Sequence, residues 1–140
     1  MIQTILLAID GSACSDRALH FTASLARTYH TRVVLVYAYI PVPEPLLENR
    51  HPGSMYESRD QAEKLVQQAA RRLRELGIAE VETEIVEGPA VNVIIGAAET
   101  YRPDILVIGA RGQSLWPGSQ LGSVSMAVTQ RVECPVLVVR

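Results

Sequence analysis

Gly109-Ala110-Arg111-Gly112, nine further residues, then Gly122-Ser123 is the spacing in this chain best suited to chemistry. Glycines let a ligand come close to the backbone and reach the positive-φ conformations that a tight cradle is expected to need. Gly122-Ser123 opens the helical stretch 124–132, whose first N–H groups lack intrahelical partners and carry partial positive charge. A glycine loop running into a helix N-terminus suits a phosphate group. The second candidate is Asp10-Gly11-Ser12, at the end of the apolar run 5–9. An aspartate there can accept hydrogen bonds from ribose hydroxyls or hold a divalent metal beside phosphates. The simpler reading is a turn that caps a helix; the glycine loop beside it favours the ligand.

The same residues exclude other chemistry. A phosphate-loop NTPase needs a lysine after its second glycine, and the only lysine, Lys64, falls mid-helix. Arg111 is the one basic residue between Gly109 and Gly122, and none of the three histidines (His20, His30, His51) belongs to the cradle. The clamp and oriented base of fast phosphoryl transfer are not visible, which leaves room only for slow hydrolysis. A net charge of −2 argues against a nucleic-acid binder. No apolar run reaches the ~20 residues of a membrane span. The N-terminus enters a strand directly with no leader pattern, so the expected location is cytoplasmic. Cys14 and Cys134 are expected at opposite ends of a parallel sheet, about 17–20 Å apart, too far for a disulfide.

The elements that must position these groups alternate. Residues 5–9, 33–39, 105–108 and 136–139 are apolar runs that read as strands, 5–9 as one buried on both faces and 33–39 rich in β-branched and aromatic residues. Residues 81–86 alternate with Glu82 and Glu84, as an edge strand with one wet face would. A helix capped by Ser12 or Ser15 is expected to run to about Tyr29, burying Ala18, Thr22, Leu25, Ala26 and Tyr29. A second is expected over 56–76, with Gly77 at its end, and a third after Gly88-Pro89, burying Val91, Ile94, Ile95 and Ala98. Four prolines and a glycine in 40–54 argue for a long loop without helix or strand, with a lid as one use.

Five strands alternating with four helices imply a single-domain α/β fold over residues 1–140, an open parallel five-stranded sheet with helices on both faces. With the first strand central, the order is 3-2-1-4-5 and the switch point lies between the first and fourth strands. Ligands of such sheets bind outside the carboxyl ends of the strands at that point. Asp10 and Gly109 end those two strands, so both candidates converge on one crevice.

Over its whole length the chain resembles the universal stress protein family, in its ATP-binding subgroup. The resemblance is carried by 5–10, by 104–112 with its G-x-x-G, by Gly122-Ser123-Val124-Ser125 after nine residues, and by Cys134-Pro135 before the last strand. It implies a Rossmann-like fold of the adenine nucleotide alpha hydrolase type. It implies that Asp10 faces the ribose or a metal, that Ala8 and Ile9 flank the nucleotide, and that Ala38 contacts adenine through its backbone. Gly109, Arg111, Gly112, Gly122, Ser123, Val124 and Ser125 would surround the phosphates. The cofactor implied is ATP, or ADP or AMP, with Mg or Mn accompanying it, and the assembly implied is a homodimer through Val136–Val139. The implied role is a stress-response regulator with little or no catalysis. A slow metal-dependent ATPase and a dimeric interaction module with a vestigial pocket are the alternatives. One departure is that 113–121 carries no basic residue, so Arg111, backbone amides, hydroxyls and a metal would have to balance a triphosphate.

Overall fold

A computed structural model describes residues 1–47, 55–112 and 121–140. β1 (Thr4–Ile9) leads into α1 (Ala13–Tyr29), and β2 (Arg32–Pro41) into a 3-10 turn at Glu44–Leu46. β3 (Tyr56–Glu57), α2 (Arg59–Glu75), β4 (Val81–Glu87), α3 (Ala90–Tyr101), β5 (Ile105–Gly109), α4 (Ser123–Arg131) and β6 (Val136–Val139) complete the chain. All five strand pairings are parallel. The five longer strands lie in the order β4-β2-β1-β5-β6, as the sequence predicts, and β3 adds a sixth at the far end of β2.

β1 is buried along its whole length. Its alternate residues feed two cores. Ile5, Leu7 and Ile9 pack with α1 and α2 residues such as Ala18, Leu19, Val66 and Leu73. Leu6 and Ala8 pack with Val93, Ile94 and Ala97 of α3 and Val128 of α4. This two-sided burial explains the unbroken apolar runs in the sequence. Asp104 fixes the start of the sheet, its carboxylate accepting the backbone N–H groups of Gln3 at 2.7 Å and Thr4 at 2.9 Å. Both cysteines are free thiols.

The structure departs from the sequence reading in four places. β2 runs through Pro41, and Pro45 lies in the 3-10 turn, although prolines were expected to exclude both states. A strand end and the first turn of a short helix are where a missing N–H costs least. The rest of that expected loop, 48–54, and with it any lid, lies outside the described residues. α2 begins only after Ser58, whose hydroxyl accepts from Gln61 N–H while the Gln61 side chain accepts from Ser58 N–H. That capping box frees Tyr56-Glu57 to pair with Ile40-Pro41. Tyr29, expected in the core, is 48% exposed, because His30 takes the left-handed conformation (φ 53°) and ends α1 there. On α3 the buried residues are Val93, Ile94 and Ala97, with Val91, Ile95 and Ala98 only half-buried.

Candidate functional site

The crevice at the switch point is built first by the β1–α1 turn. Gly11 supplies the positive φ of 80° that the turn needs. Asp10 Oδ1 accepts the Ser12 N–H at 2.9 Å, which fixes the carboxylate. Ser12 caps α1, accepting the Ser15 N–H at 3.2 Å. Its hydroxyl also donates to the Arg111 carbonyl at 3.3 Å, tying the first loop to the glycine loop. Ser15 Oγ in turn accepts the Asp10 N–H at 3.1 Å.

Gly109, Gly112 and Gly122 of the second loop serve close approach rather than unusual dihedrals. Among the described residues the positive-φ glycines are Gly11, Gly77 and Gly88, and none is Gly109, Gly112 or Gly122. A Cβ on Gly109 would lie 2.9 Å from Cys14 C, Cys14 Cβ and Ser15 N, so the missing side chain admits the first turn of α1. A Cβ on Gly112 would lie 2.6 Å from Asp10 Oδ2, so this glycine makes room for the carboxylate. Gly122 is closely set too, with Ala110 O at 3.3 Å and Arg111 Cα at 3.4 Å from where its Cβ would be.

α4 starts from this anchored loop. Ala110 N–H donates to Val139 O at 2.6 Å, and Gly122 N–H donates to Ala110 O at 2.6 Å. The buried Ser125 hydroxyl reaches the same Ala110 carbonyl at 2.7 Å and Gly122 O at 3.1 Å. Its hydroxyl is therefore committed to the loop, and the backbone N–H is what Ser125 can offer outward. Gly122, the N-cap residue, has no side chain with which to cap α4, whereas Ser12 and Ser58 cap α1 and α2. The amides at the start of α4 keep their partial positive charge for something else.

These elements enclose a cavity of about 210 Å³. Its floor is one row across the sheet, since Ala8 pairs in register with Val36 on one side and Ile108 on the other. Ala38, further along β2, extends the floor, and Ala90 and Ile94, one turn apart on α3, form a wall with Val124. The opposite end is polar: Asp10, Ser15, Ser123, Ser125 and the three glycines. An apolar slot thus leads to a hydroxyl-rich end at a helix N-terminus, and Asp10 is the charged side chain among the described lining residues. The Tyr37 phenol, buried and hydrogen-bonded to Glu57, has its pKa raised by burial, by Glu57 and by Asp10.

Of the residues singled out in the sequence, Ala8, Ile9, Asp10, Ala38, Gly109, Gly112, Gly122, Ser123, Val124 and Ser125 all line this cavity. Arg111 does not: it is exposed at the rim and contributes its backbone carbonyl to the loop. Five lining residues were not anticipated, namely Ser15, Val36, Ala90, Ile94 and Ile108. Strand register would have given Val36 and Ile108 as the neighbours of Ala8. Ser15 was hidden by the choice of cap, because only with Ser12 as the cap does Ser15 turn inward. As for a metal, no three His, Cys, Asp or Glu side chains gather among the described residues. Asp10 is the one carboxylate among the described lining residues, so the phosphates would have to supply most of a cation's ligands.

Comparison with known proteins gives the following. The family model described as "Universal stress protein family" matches residues 1–140. A Thermus aquaticus protein described as a universal stress protein in the QAH/OAS sulfhydrylase 3'region is 33% identical over 140 residues, covering 100% of both chains. Among solved structures, a universal stress protein in complex with cAMP is similar with a TM-score of 0.77 and 26% identity, covering 99% of this chain and 97% of that one. The protein designated MJ0577 is similar with a TM-score of 0.82 and 25% identity, covering 99% and 96%. No helix among the described residues is long and apolar enough to cross a membrane.

Proposed function

This chain belongs to the universal stress protein family, and we propose that it binds an adenine nucleotide in the cavity between the ends of β1 and β5. The observation that carries this reading is the start of α4, left without a side-chain cap at the polar end of an apolar slot. Purine and ribose fill the slot over Ala8, Val36 and Ile108, and phosphate oxygens accept from the α4 amides. The relative crystallised with cAMP supports an adenine ligand. ATP is the form that the G-x-x-G, nine-residue, G-S spacing favours, with ADP and AMP as weaker ligands and Mg or Mn arriving with the phosphates. The described lining carries no histidine, lysine or arginine, so the nucleotide is held rather than turned over, and the bound state serves as a signal in a stress response. The molecule acts as a cytoplasmic homodimer joined through Val136–Val139, whose outer edge would otherwise present unpaired backbone.

The test is calorimetric titration of nucleotide-free protein with ATP, ADP and AMP, with and without magnesium, beside the variant Gly122→Val. A Cβ already meets Ala110 O at 3.3 Å, so the branched side chain must displace the start of α4, and affinity is expected to fall at least about tenfold, the equivalent of one charge-assisted hydrogen bond. Unchanged affinity in the variant would remove the phosphates from this position. No binding of any nucleotide would leave an interaction module with an inherited pocket.

A further inference from the structure

The sheet has a second open edge, at β4. Among the described residues β4 pairs with β2 and with no strand on its other side. Val33 N–H donates to Glu80 O and Gly88 N–H to Tyr39 O, so the even-numbered residues of β4 turn their backbone toward β2. The backbone groups of Val81, Thr83, Ile85 and Glu87 therefore face outward, and Arg74 Nη2 reaches the Val81 carbonyl at 3.5 Å.

The two faces of this edge carry opposite charge. On the α2 side a groove of about 360 Å³ is lined by Gln67, Ala70, Arg71, Arg74, Glu75 and Thr83. Its one carboxylate, Glu75, is drawn to Arg72 at 3.9 Å, so the arginines set the charge of the groove. On the α3 side stand Glu82 and Glu84. Tyr101 donates to Glu82 Oε1 at 3.3 Å, and Arg32 lies 3.5 Å from Glu82 Oε2. Glu84 is hydrogen-bonded to the same phenol, whose pKa it raises, yet its Oε2 is buried without a hydrogen-bond partner. A buried carboxylate oxygen left in that state has a cost, which a cationic donor brought from outside would remove.

A segment laid along β4 would place successive side chains on opposite faces. Residues beside Thr83 would meet the arginines, and those beside Glu84 would meet a carboxylate that lacks a donor. A second copy of β4 does not answer to this. In the antiparallel pairing of a two-fold dimer it would bring glutamates against Glu82 and Glu84, and like charges across a strand pair are destabilising. We propose that β4 is a docking edge for an extended segment of another protein in which acidic and basic residues alternate, the acidic ones over α2 and the basic ones over Glu84. Backbone pairing supplies the affinity and the alternation the specificity. This goes beyond nucleotide binding and does not depend on it.

The experiment is fluorescence anisotropy of a labelled octapeptide alternating Glu and Lys, titrated with the full chain, beside a peptide of the same composition with its Glu and Lys in two blocks. The alternating peptide is expected to bind at least about tenfold more tightly, the scale of two or three cross-strand ion pairs, and to slow amide exchange at Val81, Thr83 and Ile85. Thr83→Pro removes an outward N–H where an edge strand tolerates proline, and is expected to abolish that binding with the thermal melt little changed. Glu84→Gln keeps the shape and is expected to cut the preference for the alternating peptide by roughly threefold or more. No binding of the alternating peptide, equal binding of the two peptides, or binding that survives Thr83→Pro overturns the proposal. So does a sedimenting mass that falls in Thr83→Pro, which gives the edge to a second copy. If Thr83→Pro fails to fold, Glu84→Gln decides, and an unchanged preference there overturns the proposal.

Discussion

Gly109 and Gly112 stand three residues apart in one loop, yet the geometry assigns them opposite phenotypes when each is replaced by alanine. At Gly109 the new Cβ would meet three atoms at 2.9 Å, two of them backbone, in the first turn of α1. Backbone cannot swing aside, so α1 and β5 must separate. Overpacking of this kind costs about 1–3 kcal/mol. Alanine recovers about 0.4–1 kcal/mol through the unfolded chain, since this position does not require a positive φ. With backbone in two of the three contacts the cost sits in the upper half of that range, about 2–3 kcal/mol, so the net loss is roughly 1–2.6 kcal/mol, or about 3–10 °C in Tm for a chain of this size. At Gly112 the contact is a single one, 2.6 Å to Asp10 Oδ2, the far end of a side chain. The carboxylate can rotate away without moving backbone, at the expense of bonds that include the one from Ser12 N–H, about 1 kcal/mol each for a half-exposed pair, which the same unfolded-state gain offsets in part. Stability should therefore fall less than at Gly109. Asp10 no longer faces the cavity, however, and nucleotide affinity should drop about tenfold or more.

Thermal melts and calorimetric titration of the two variants separate these outcomes. Gly109→Ala should melt early and bind in proportion to its folded fraction, and Gly112→Ala should melt closer to the wild type and bind poorly. A Gly109→Ala protein as stable as the wild type would refute the packing role given to that glycine. A Gly112→Ala protein with full affinity would refute the claim that Asp10 needs its present orientation.

Asp104 supplies a pH signature. Its hydrogen bonds from Gln3 and Thr4 N–H hold its pKa below the ordinary value of 3.8, so its contribution is complete above that value and fades as pH falls through the folded-state pKa. Urea unfolding from pH 5 to pH 2 should show Asp104→Asn less stable at the upper end and converging with the wild type at the lower; parallel curves would contradict the assignment. At β6, Leu106 N–H donates to Pro135 O and Ala110 N–H to Val139 O, so the backbone of Val136 and Val138 faces the open edge in the alternation of a parallel strand. Val138→Pro removes an outward N–H at a place where edge strands tolerate proline, and sedimentation should find monomers that keep the fold. A persisting dimer would move the interface elsewhere.

The architecture was legible because the sheet is buried on both faces. Such strands cannot alternate, so 5–9, 33–39 and 105–108 announced themselves as short apolar runs, and Gly77 marked a helix end in between. What escaped was set by local hydrogen bonding rather than by hydrophobicity. Ser58 and Gln61 form a capping box that moves the start of α2 and releases β3, a strand of two residues with no periodicity to detect. On α3 the reading of the buried face was rotated, because Ala90 and Ile94 turn toward the cavity while Val93 and Ala97 fill the core. A helix that serves a core and a pocket at once blurs the single stripe on which such readings depend.

The candidate site was drawn from spacing rather than from hydrophobicity, and one of the two reasons expected for its glycines does not apply. Spacing located the cradle, since ten of the eleven residues named from the sequence line one cavity. Close approach and positive φ were both expected of the glycines, whereas among the described residues the positive φ belongs to Gly11 in the other loop. Gly109 and Gly112 are glycines because α1 and the Asp10 carboxylate occupy the space where their side chains would be. The two loops are therefore one interlocked unit, closed by the bond from Ser12 to the Arg111 carbonyl. Anything that seats phosphate on α4 pushes against a loop that directly fixes Asp10, Ser12 and the first turn of α1. Because Arg17, one turn further along α1, donates to Arg140 O at 2.6 Å just beyond β6, this unit also reaches the sheet edge through which a second copy would pair. A ligand that tightens the interlock would then strengthen pairing at β6 by the same free energy with which pairing strengthens its binding.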